Sequence, residues 1–348
     1  MRVDTPIPLN DWRAVAAAAK AAEAVGFAGV MSAEIANDPF TPLAFAALAT
    51  ERIELSTGIC VAFPRSPMVV AQTSWDLHAQ SRGRFRLGLG SQVKGHNERR
   101  FSVAWSPPVP RLREYIESLR AIWRCWEKGE PLRYEGEHYH FTLMTPEFSP
   151  PPTGLPPIPV SIAAVGPDML KLAGRVCDGV RLHGFATRKY IEEVALPQLE
   201  AGLRQCGRPR ANFEVWGGGF VLTGEGEAEL AKQIEFGRYR IAFYGSTRSY
   251  HGVLAAHGWE DLGMELHAMS KRGQWGEMAK RVPDEVVRSF AAVGTYEEIA
   301  GAIADRFGGI SDTVTLAFGP GAEPGLAREI VQDVKRIPCA FEGYAGGW

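Results

Sequence analysis

One strand-to-helix junction combines residue types that suit the binding of a phosphate group: Ala163, Ala164, Val165, Gly166, Pro167, Asp168 and Met169. It ends a predicted strand and begins a predicted helix. Pro167 falls in the first helical turn, where a backbone N–H is not needed. Small residues let a ligand approach the backbone, and the free N–H groups and dipole of a helix start favour an anion. An ordinary strand-to-helix turn explains this segment equally well.

Three further candidates lie late in, or just after, predicted strands. Thr57 precedes Gly58 and Ile59 in the third strand. A glycine inside a strand indicates a bulge or a close backbone approach, although a glycine required only for packing fits as well. Asp4 and Glu34 follow the first and second strands, where each taken alone is more commonly a loop carboxylate.

Motifs of known chemistry are incomplete in this chain. Gly90 and Gly95 have the spacing of a P-loop, but His96 follows where a lysine is required. No third glycine completes a dinucleotide fingerprint after the fourth strand. His138 and His140 share one face of a predicted hairpin strand, as half of a metal site would. Because no third ligand is suggested nearby, a surface hairpin is favoured and we predict no metal.

The elements that position these residues alternate between strand and helix, which is typical of a parallel sheet. Predicted strands are 2–4, 27–32, 53–61, 84–89, 159–163, 178–183, 213–222 and 313–318; predicted helices are 11–25, 40–50, 67–81, 111–127, 167–175, 190–205, 296–307 and 325–336. About eight βα units predict a single α/β domain over residues 1–348, a (β/α)8 TIM barrel. Insertions are predicted at about 91–110, 130–157 and 225–290, the last helical, and a doubly wound sheet is the alternative fold.

Composition narrows the classes of partner. Lys and Arg number 38 and Asp and Glu 40, so the formal net charge of -2 gives no reason to expect nucleic acid or an anionic membrane. No run reaches the roughly 18 apolar residues of a membrane span. Five cysteines without a CxxC spacing support neither a disulfide framework nor a zinc ribbon, so a reduced cytoplasmic compartment is expected.

Several segments together resemble the luciferase-like monooxygenase superfamily of flavin- and deazaflavin-dependent TIM barrels. They are 81–90 (SRGRFRLGLG), similar to S-x-G-R-x-x-L-G-x-G; 65–67 (RSP), similar to R-x-P; 163–167 (AAVGP) with 172–174 (LAG) and 177–179 (CDG); and 294–299 (GTYEEI). Their order spans nearly the whole chain. The Gly-Pro pair after the fifth strand and the run 89–93 (LGSQV) look most like the branch that uses coenzyme F420. The FMN branch shares the same scaffold.

The resemblance implies roles for individual residues. A strand bulge at Gly58 and Ile59, next to Thr57 and commonly with a non-prolyl cis peptide, would back the isoalloxazine-type ring. The junction 163–169 would hold the cofactor phosphate. The remaining cofactor-binding candidates, most of which would flank the ring, are Gly90, Ser91, Gln92, Asn97 and His183. Glu34, His96 and Asp4 are candidate proton donors or acceptors on the substrate side, and Glu34 stands where related deazaflavin enzymes often carry a His or an acid.

The implied activity is that of an F420-dependent oxidoreductase, which transfers hydride to or from a small organic substrate. An FMN-dependent monooxygenase working with a separate reductase is the alternative within the same scaffold. A non-catalytic barrel that binds a flavin-like ligand is the alternative from another class. The expected partners are the cofactor, a small-molecule substrate and a second copy in a homodimer.

Overall fold

Eight parallel strands close into a barrel in this computed structural model, which describes residues 1–319 and 321–348. The strands are β1 (Arg2–Pro6), β2 (Gly29–Ser32), β3 (Glu54–Thr57), β4 (Cys60–Val61), β5 (Phe85–Gly90), β6 (Tyr134–Glu135), β7 (His140–Phe141), β8 (Val160–Ala164), β9 (Gly179–Leu182), β10 (Glu214–Gly217), β11 (Phe220–Gly224), β12 (Ala291–Thr295) and β13 (Thr313–Thr315). β3 and β4 are two halves of one barrel strand. The order around the barrel is β1, β2, β3 with β4, β5, β8, β9, β10 and β13, which pairs again with β1. The predicted (β/α)8 TIM barrel is confirmed.

Each barrel strand is followed along the chain by a helix of the outer layer. The α-helices are α1 (Trp12–Val25), α2 (Thr41–Ala49), α3 (Pro67–Gln80), α4 (Lys94–Arg99), α5 (Pro108–Lys128), α6 (Pro167–Val176), α7 (Arg188–Tyr190), α8 (Leu196–Cys206), α9 (Glu227–Gly245), α10 (His251–Ala255), α11 (Glu260–Lys271), α12 (Trp275–Met278), α13 (Asp284–Phe290), α14 (Ile299–Phe307) and α15 (Pro324–Lys335). A π-helical turn (Ile191–Ala195) joins α7 to α8. After β10 the next helix of the outer layer is α14. Residues 220–295, from β11 to β12, lie between them and form a unit of their own.

Local sequence signals explain where the outer helices begin and end. The Asp11 side chain accepts from the backbone N–H of Arg13 and caps the start of α1, which ends at Gly26 with φ 102°. Ser66 caps α3 in the same way, with Pro67 in the first turn. These helices pack apolar side chains against strands that are buried on both faces, such as β5 and β9, as expected of a parallel barrel.

The segment predicted as one strand over 213–222 forms two strands instead. Gly217 and Gly218 have φ 68° and 94°, a region that glycine adopts without strain, and they turn the chain out of the barrel after β10. β11 then pairs in parallel with β12, which the sequence patterns did not predict. The helices α9 to α13 lie between these two strands and surround a second hydrophobic core that includes Phe185 and Tyr190.

The interior of the barrel is strongly charged. Arg86 lies within 4 Å of the carboxylates of Asp4 (3.0 Å), Glu54 (2.7 Å) and Glu214 (3.5 Å). The Tyr344 hydroxyl donates to Glu214 from the C-terminal segment, which lies across the amino-terminal ends of the strands. Burial raises the pKa of Glu214 although Arg86 opposes the shift. The inward-facing network is therefore held by reciprocal pairing of charges.

The cysteines and the helices of the described residues agree with what the composition predicts. All five cysteines are free thiols, so none takes part in a disulfide. None of the helices in residues 1–319 and 321–348 combines the length and the apolar character needed to cross a membrane.

Candidate active site

Small residues lie at the carboxyl ends of three neighbouring barrel strands: Gly58 after β3, Gly90 in β5 and Ala163 in β8. A cis peptide joins Gly58 to Ile59 at the break between β3 and β4, as the resemblance implies. At the end of β5, a Cβ on Gly90 would lie 2.6 Å from Cδ1 of Ile59 and 3.7 Å from Cβ of Ala163. Ligands of TIM barrels bind at this end of the strands, so these residues lie where a ligand is expected.

Glu34 follows β2 and fixes the break between β3 and β4. Its carboxylate accepts from Arg65 Nη1 at 2.8 and 3.0 Å and from the backbone N–H of Val61 at 2.7 Å. Its own backbone N–H donates to the carbonyl of Ile59 at 3.1 Å. The side chain is only 6% exposed. A carboxylate held by this many donors suits a residue that orders the ring-backing segment more than one that takes a proton from a substrate.

The loop after β5 is ordered by the side chains predicted to flank the ring. Asn97 is buried, and its Nδ2 donates to the carbonyls of Ser91 (2.9 Å) and Val93 (3.3 Å), while its Oδ1 is buried without a partner among the described residues. Gln92 has φ 56°, and its Oε1 accepts from the N–H of Val93. His96 is exposed on α4.

Two residues predicted for the site, Thr57 and Asp4, make their contacts inside the barrel instead. The Thr57 hydroxyl is fully buried, donates to the carbonyl of Gly88 and accepts from the N–H of the same residue. It is therefore committed to joining β3 to β5. Asp4 was expected at the carboxyl end, but it is the middle residue of β1, points inward and pairs with Arg86. That expectation is wrong, because β1 continues to Pro6 beyond the position of Asp4.

The start of α6 is open toward an anion. Gly166 caps this helix without a side chain, and a Cβ built on it would meet nothing within 4 Å. The first N–H groups of the helix, those of Asp168 and Met169, have no intrahelical partner. The Tyr190 hydroxyl donates to the carbonyl of Val165 at 2.8 Å and holds the preceding loop in place. A phosphate group fits this position without displacing a side chain.

His183 lies next to this junction, just beyond the end of β9. Its Nδ1 accepts from the backbone N–H of Phe185 at 2.9 Å, so the hydrogen-bond network assigns the proton to Nε2. Tyr244 and Tyr250, from the unit between β11 and β12, contact the imidazole at 4.4 and 4.9 Å between ring centroids. Burial, reinforced by the charge of Arg240, lowers the pKa of His183 to about 4. The ring is therefore neutral near pH 7 and offers a single N–H donor.

The predicted hairpin at His138 is present and is fastened by Glu114. That buried carboxylate accepts from the backbone N–H groups of Glu137 (3.1 Å) and His138 (2.7 Å), which lower its pKa. Glu114, Glu137 and His138 bring three potential metal-ligand atoms within 4.8 Å of one another. Because the Glu114 oxygens already accept these N–H groups, we assign the cluster to holding the hairpin turn in place.

Comparisons with known proteins agree with this geometry. The sequence profile of the luciferase-like monooxygenases matches residues 2–312. The chain belongs to the luciferase-like monooxygenase family. An uncharacterised protein of Mycobacterium tuberculosis is 44% identical over 336 residues, which are 97% of this chain and 98% of that protein. The 5,10-methylenetetrahydromethanopterin reductase of Archaeoglobus fulgidus is 29% identical over 267 residues, 75% of each chain.

Among solved structures, the coenzyme F420-dependent tetrahydromethanopterin reductase of Methanopyrus kandleri matches with a TM-score of 0.76. It covers 96% of this chain and 98% of that chain at 21% identity, which establishes the shared fold alone. The sequence profile therefore establishes the family, and the barrel topology with the solved structure establishes the fold.

Two arginines of this luciferase-like scaffold lie at or below the candidate site. The sequence patterns assigned a role to neither of them. Arg65 was visible only as part of the R-x-P element, yet it holds Glu34. Arg181 lies inside β9 and is buried in the barrel. An arginine in the middle of the strand predicted over 178–183 is the signal that could have identified it.

Proposed function

We propose that this chain is an F420-dependent oxidoreductase that transfers hydride to or from a small organic substrate. The observation that carries the proposal is that the closely packed glycines at the carboxyl ends of the strands and the open start of α6 lie at the same end of the barrel. The Met31 and Ile59 side chains pack against Gly58 and Gly90, where a Cβ would clash with them, and Gly166 leaves the α6 N–H groups free. Relatives that are named as F420-dependent enzymes support the deazaflavin branch.

In this proposal the cofactor supplies the hydride chemistry, and the chain positions it. The 58–59 peptide and Gly90 support the ring, and the loop from Ser91 to Asn97 borders it. The start of α6 binds the phosphate, and His183 contributes a neutral N–H donor beside it. Glu34 and Arg65 keep the supporting peptide in place. Asp4 is paired with Arg86 inside the barrel and cannot exchange a proton with the substrate, whereas His96 on α4 stays a candidate.

Binding tests separate the proposal from its alternatives. Purified protein is titrated with F420 and with FMN while the fluorescence of each cofactor is followed. We expect saturable quenching with F420 and none with FMN. Binding of FMN alone, followed by oxygen consumption when a reductase is added, would support the monooxygenase instead. Binding without any redox turnover of the bound cofactor would support the non-catalytic barrel.

A matched pair of variants tests the phosphate site. Gly166→Asp adds a carboxylate at a helix N-cap with free space around it, so the fold is retained while the new charge competes for the same N–H groups. We expect F420 affinity to fall at least tenfold. Gly226→Asp makes the same change at the N-cap of α9, which also has open space, and should leave affinity unchanged. Equal affinity in both variants would refute phosphate binding at α6.

The same proposal includes a homodimer formed through α2 and α3. A groove of about 670 Å³ lies between these helices and is lined mainly by apolar residues. α2 carries no charged residue, and Leu48 and Val69 are 80% and 51% exposed. A helix that is apolar on all sides is normally covered. A second copy is the occupant we favour, since a twofold axis brings the same apolar groove from both subunits together.

Light scattering with size-exclusion chromatography tests this dimer. Leu48→Glu should shift the mass from two chains to one. Met264→Glu changes another exposed apolar side chain, 53% exposed on α11, and should leave the mass unchanged. A wild-type protein of one-chain mass would rule out the dimer. The five free thiols fit the reducing cytoplasmic compartment that the sequence predicts.

A further inference from the structure

Arg181 is a buried cation without a carboxylate partner. The residue is 7% exposed on β9. Its Nε donates to the Ser161 hydroxyl at 3.1 Å, Nη1 reaches the Met31 sulfur at 3.5 Å, and the guanidinium lies 4.3 Å from the centre of the Trp216 ring. Nη2 is buried without a hydrogen-bond partner among the described residues. Within residues 1–319 and 321–348, no carboxylate oxygen comes within 4.0 Å of this side chain.

The neighbouring buried arginine shows the contrast. Arg86 is within salt-bridge distance of three carboxylates, whereas the groups in direct contact with Arg181 are neutral and Asp4 and Glu214 act on it only from a greater distance. Burial and the charge of Arg86 lower the pKa of Arg181 to about 10, although Asp4 and Glu214 oppose the shift, so it keeps its proton at neutral pH. A buried charge without a partner is unfavourable in a protein interior. We therefore expect a bound ligand to supply negative charge near Arg181.

The position of Arg181 points to the ring-binding surface. A Cβ on Gly58 would lie 3.3 Å from Nη1 of Arg181, and a Cβ on Gly88 would lie 2.5 Å from Nε. Both glycines belong to the strands that form this surface. The guanidinium is thus packed directly under the Gly58–Ile59 peptide, on the barrel side, while the proposed ring lies on the solvent side.

We propose that Arg181 is a positioning residue for the reaction, whose positive charge under the Gly58–Ile59 peptide favours the reduced, anionic form of the bound ring. The inference rests on the proposed F420 function. When a hydride leaves a substrate carbon with both bonding electrons and forms a C–H bond on the ring, the substrate is oxidised and the ring is reduced. The ring then carries one additional negative charge. Arg181 acts on this charge through the intervening peptide, without contact.

The size of the effect follows from Coulomb's law. At an effective dielectric constant of about 20, opposite unit charges up to roughly 10 Å apart change an equilibrium by about tenfold or more. The predicted observable is the ratio between the dissociation constants of oxidised and reduced F420. For a two-electron couple, a tenfold change in this ratio is a shift of about 30 mV in midpoint potential.

The experiment compares Arg181→Met with Arg181→Lys in the full-length protein. Methionine fills similar space, suits the Trp216 face and removes an unpaired charge, so folding is expected to be retained. We expect Arg181→Met to weaken binding of reduced F420 at least tenfold relative to oxidised F420. Arg181→Lys keeps the charge and should stay within threefold of wild type.

A control removes a second buried arginine. Arg306 also lacks a carboxylate partner among the described residues, but it donates to the carbonyls of Ala186 and Gly218, away from Gly58. Arg306→Met should therefore leave the affinity ratio unchanged. An unchanged ratio in Arg181→Met, with both cofactor forms still bound, would overturn the inference and leave the proposed function standing. If wild-type protein binds neither form, the proposed function fails and the inference falls with it.

Discussion

The ion pair between Glu34 and Arg65 makes a quantitative prediction. Glu34→Gln keeps one acceptor oxygen but removes the charge that Arg65 Nη1 contacts at 2.8 and 3.0 Å. A hydrogen bond to a charged group contributes about 1.5–3 kcal/mol. Because the Arg65 side chain is 22% exposed and keeps Asp38 at 3.3 Å, we expect the lower part of this range. The free energy of unfolding should fall by about 2 kcal/mol.

Urea unfolding of four proteins measures the effect: wild type, Glu34→Gln, Arg65→Met and the double variant. Since the two side chains interact directly, the double variant should lose less stability than the sum of the single variants. We expect a coupling of about 1–2 kcal/mol. Asp38→Asn is the control, because that more exposed contact should contribute less than about 1 kcal/mol.

Additive effects in the double variant would refute the assignment of Glu34 to the support of the strand break. A Glu34→Gln protein with wild-type stability and intact F420 binding, but impaired turnover, would instead assign Glu34 to proton transfer. The two outcomes are distinguished by the same set of variants.

Three further predictions concern single positions. Gly88→Ala places a Cβ 2.1 Å from a backbone oxygen of the adjacent strand and should cost at least about 2 kcal/mol in urea unfolding, whereas Gly301→Ala, in an open helical position, should gain about 0.5–1 kcal/mol. At His183 the folded pKa of about 4 lies below the ordinary 6.5. The unfolded chain therefore binds the extra proton between these values, stability falls as pH drops through this window, and His183→Gln should flatten that fall. Tyr344→Phe removes the donor to buried Glu214 and should lower the free energy of unfolding by about 1–3 kcal/mol, measured by urea unfolding at pH 7.

The barrel could be predicted from the sequence because its information is local. Short strands alternate with helices that have recognisable start and stop residues, such as Asp11 and Gly26. The proposed phosphate-binding junction could be recognised for the same reason, since its proline and small residues are consecutive.

Contacts between distant segments could not be read in this way. Arg65 meets Glu34 only because neighbouring barrel strands bring positions 31 residues apart together. The level of Asp4 within the barrel depends on how far β1 extends. β12 is a short run of small residues whose partner, β11, lies across a long helical unit, so no pattern within its own sequence marks it as a strand.

The pairing of β11 with β12 bears on how this enzyme scaffold can vary. The chain leaves the barrel after Gly217 and passes through five helices, and it returns beside the point of departure because the entry and exit strands bond to each other. A segment whose two ends are adjacent can be exchanged as a block without altering the host. Because this block supplies Tyr244 and Tyr250 beside His183, replacing it would change what the mouth of the barrel accepts while the strand surface below stays intact.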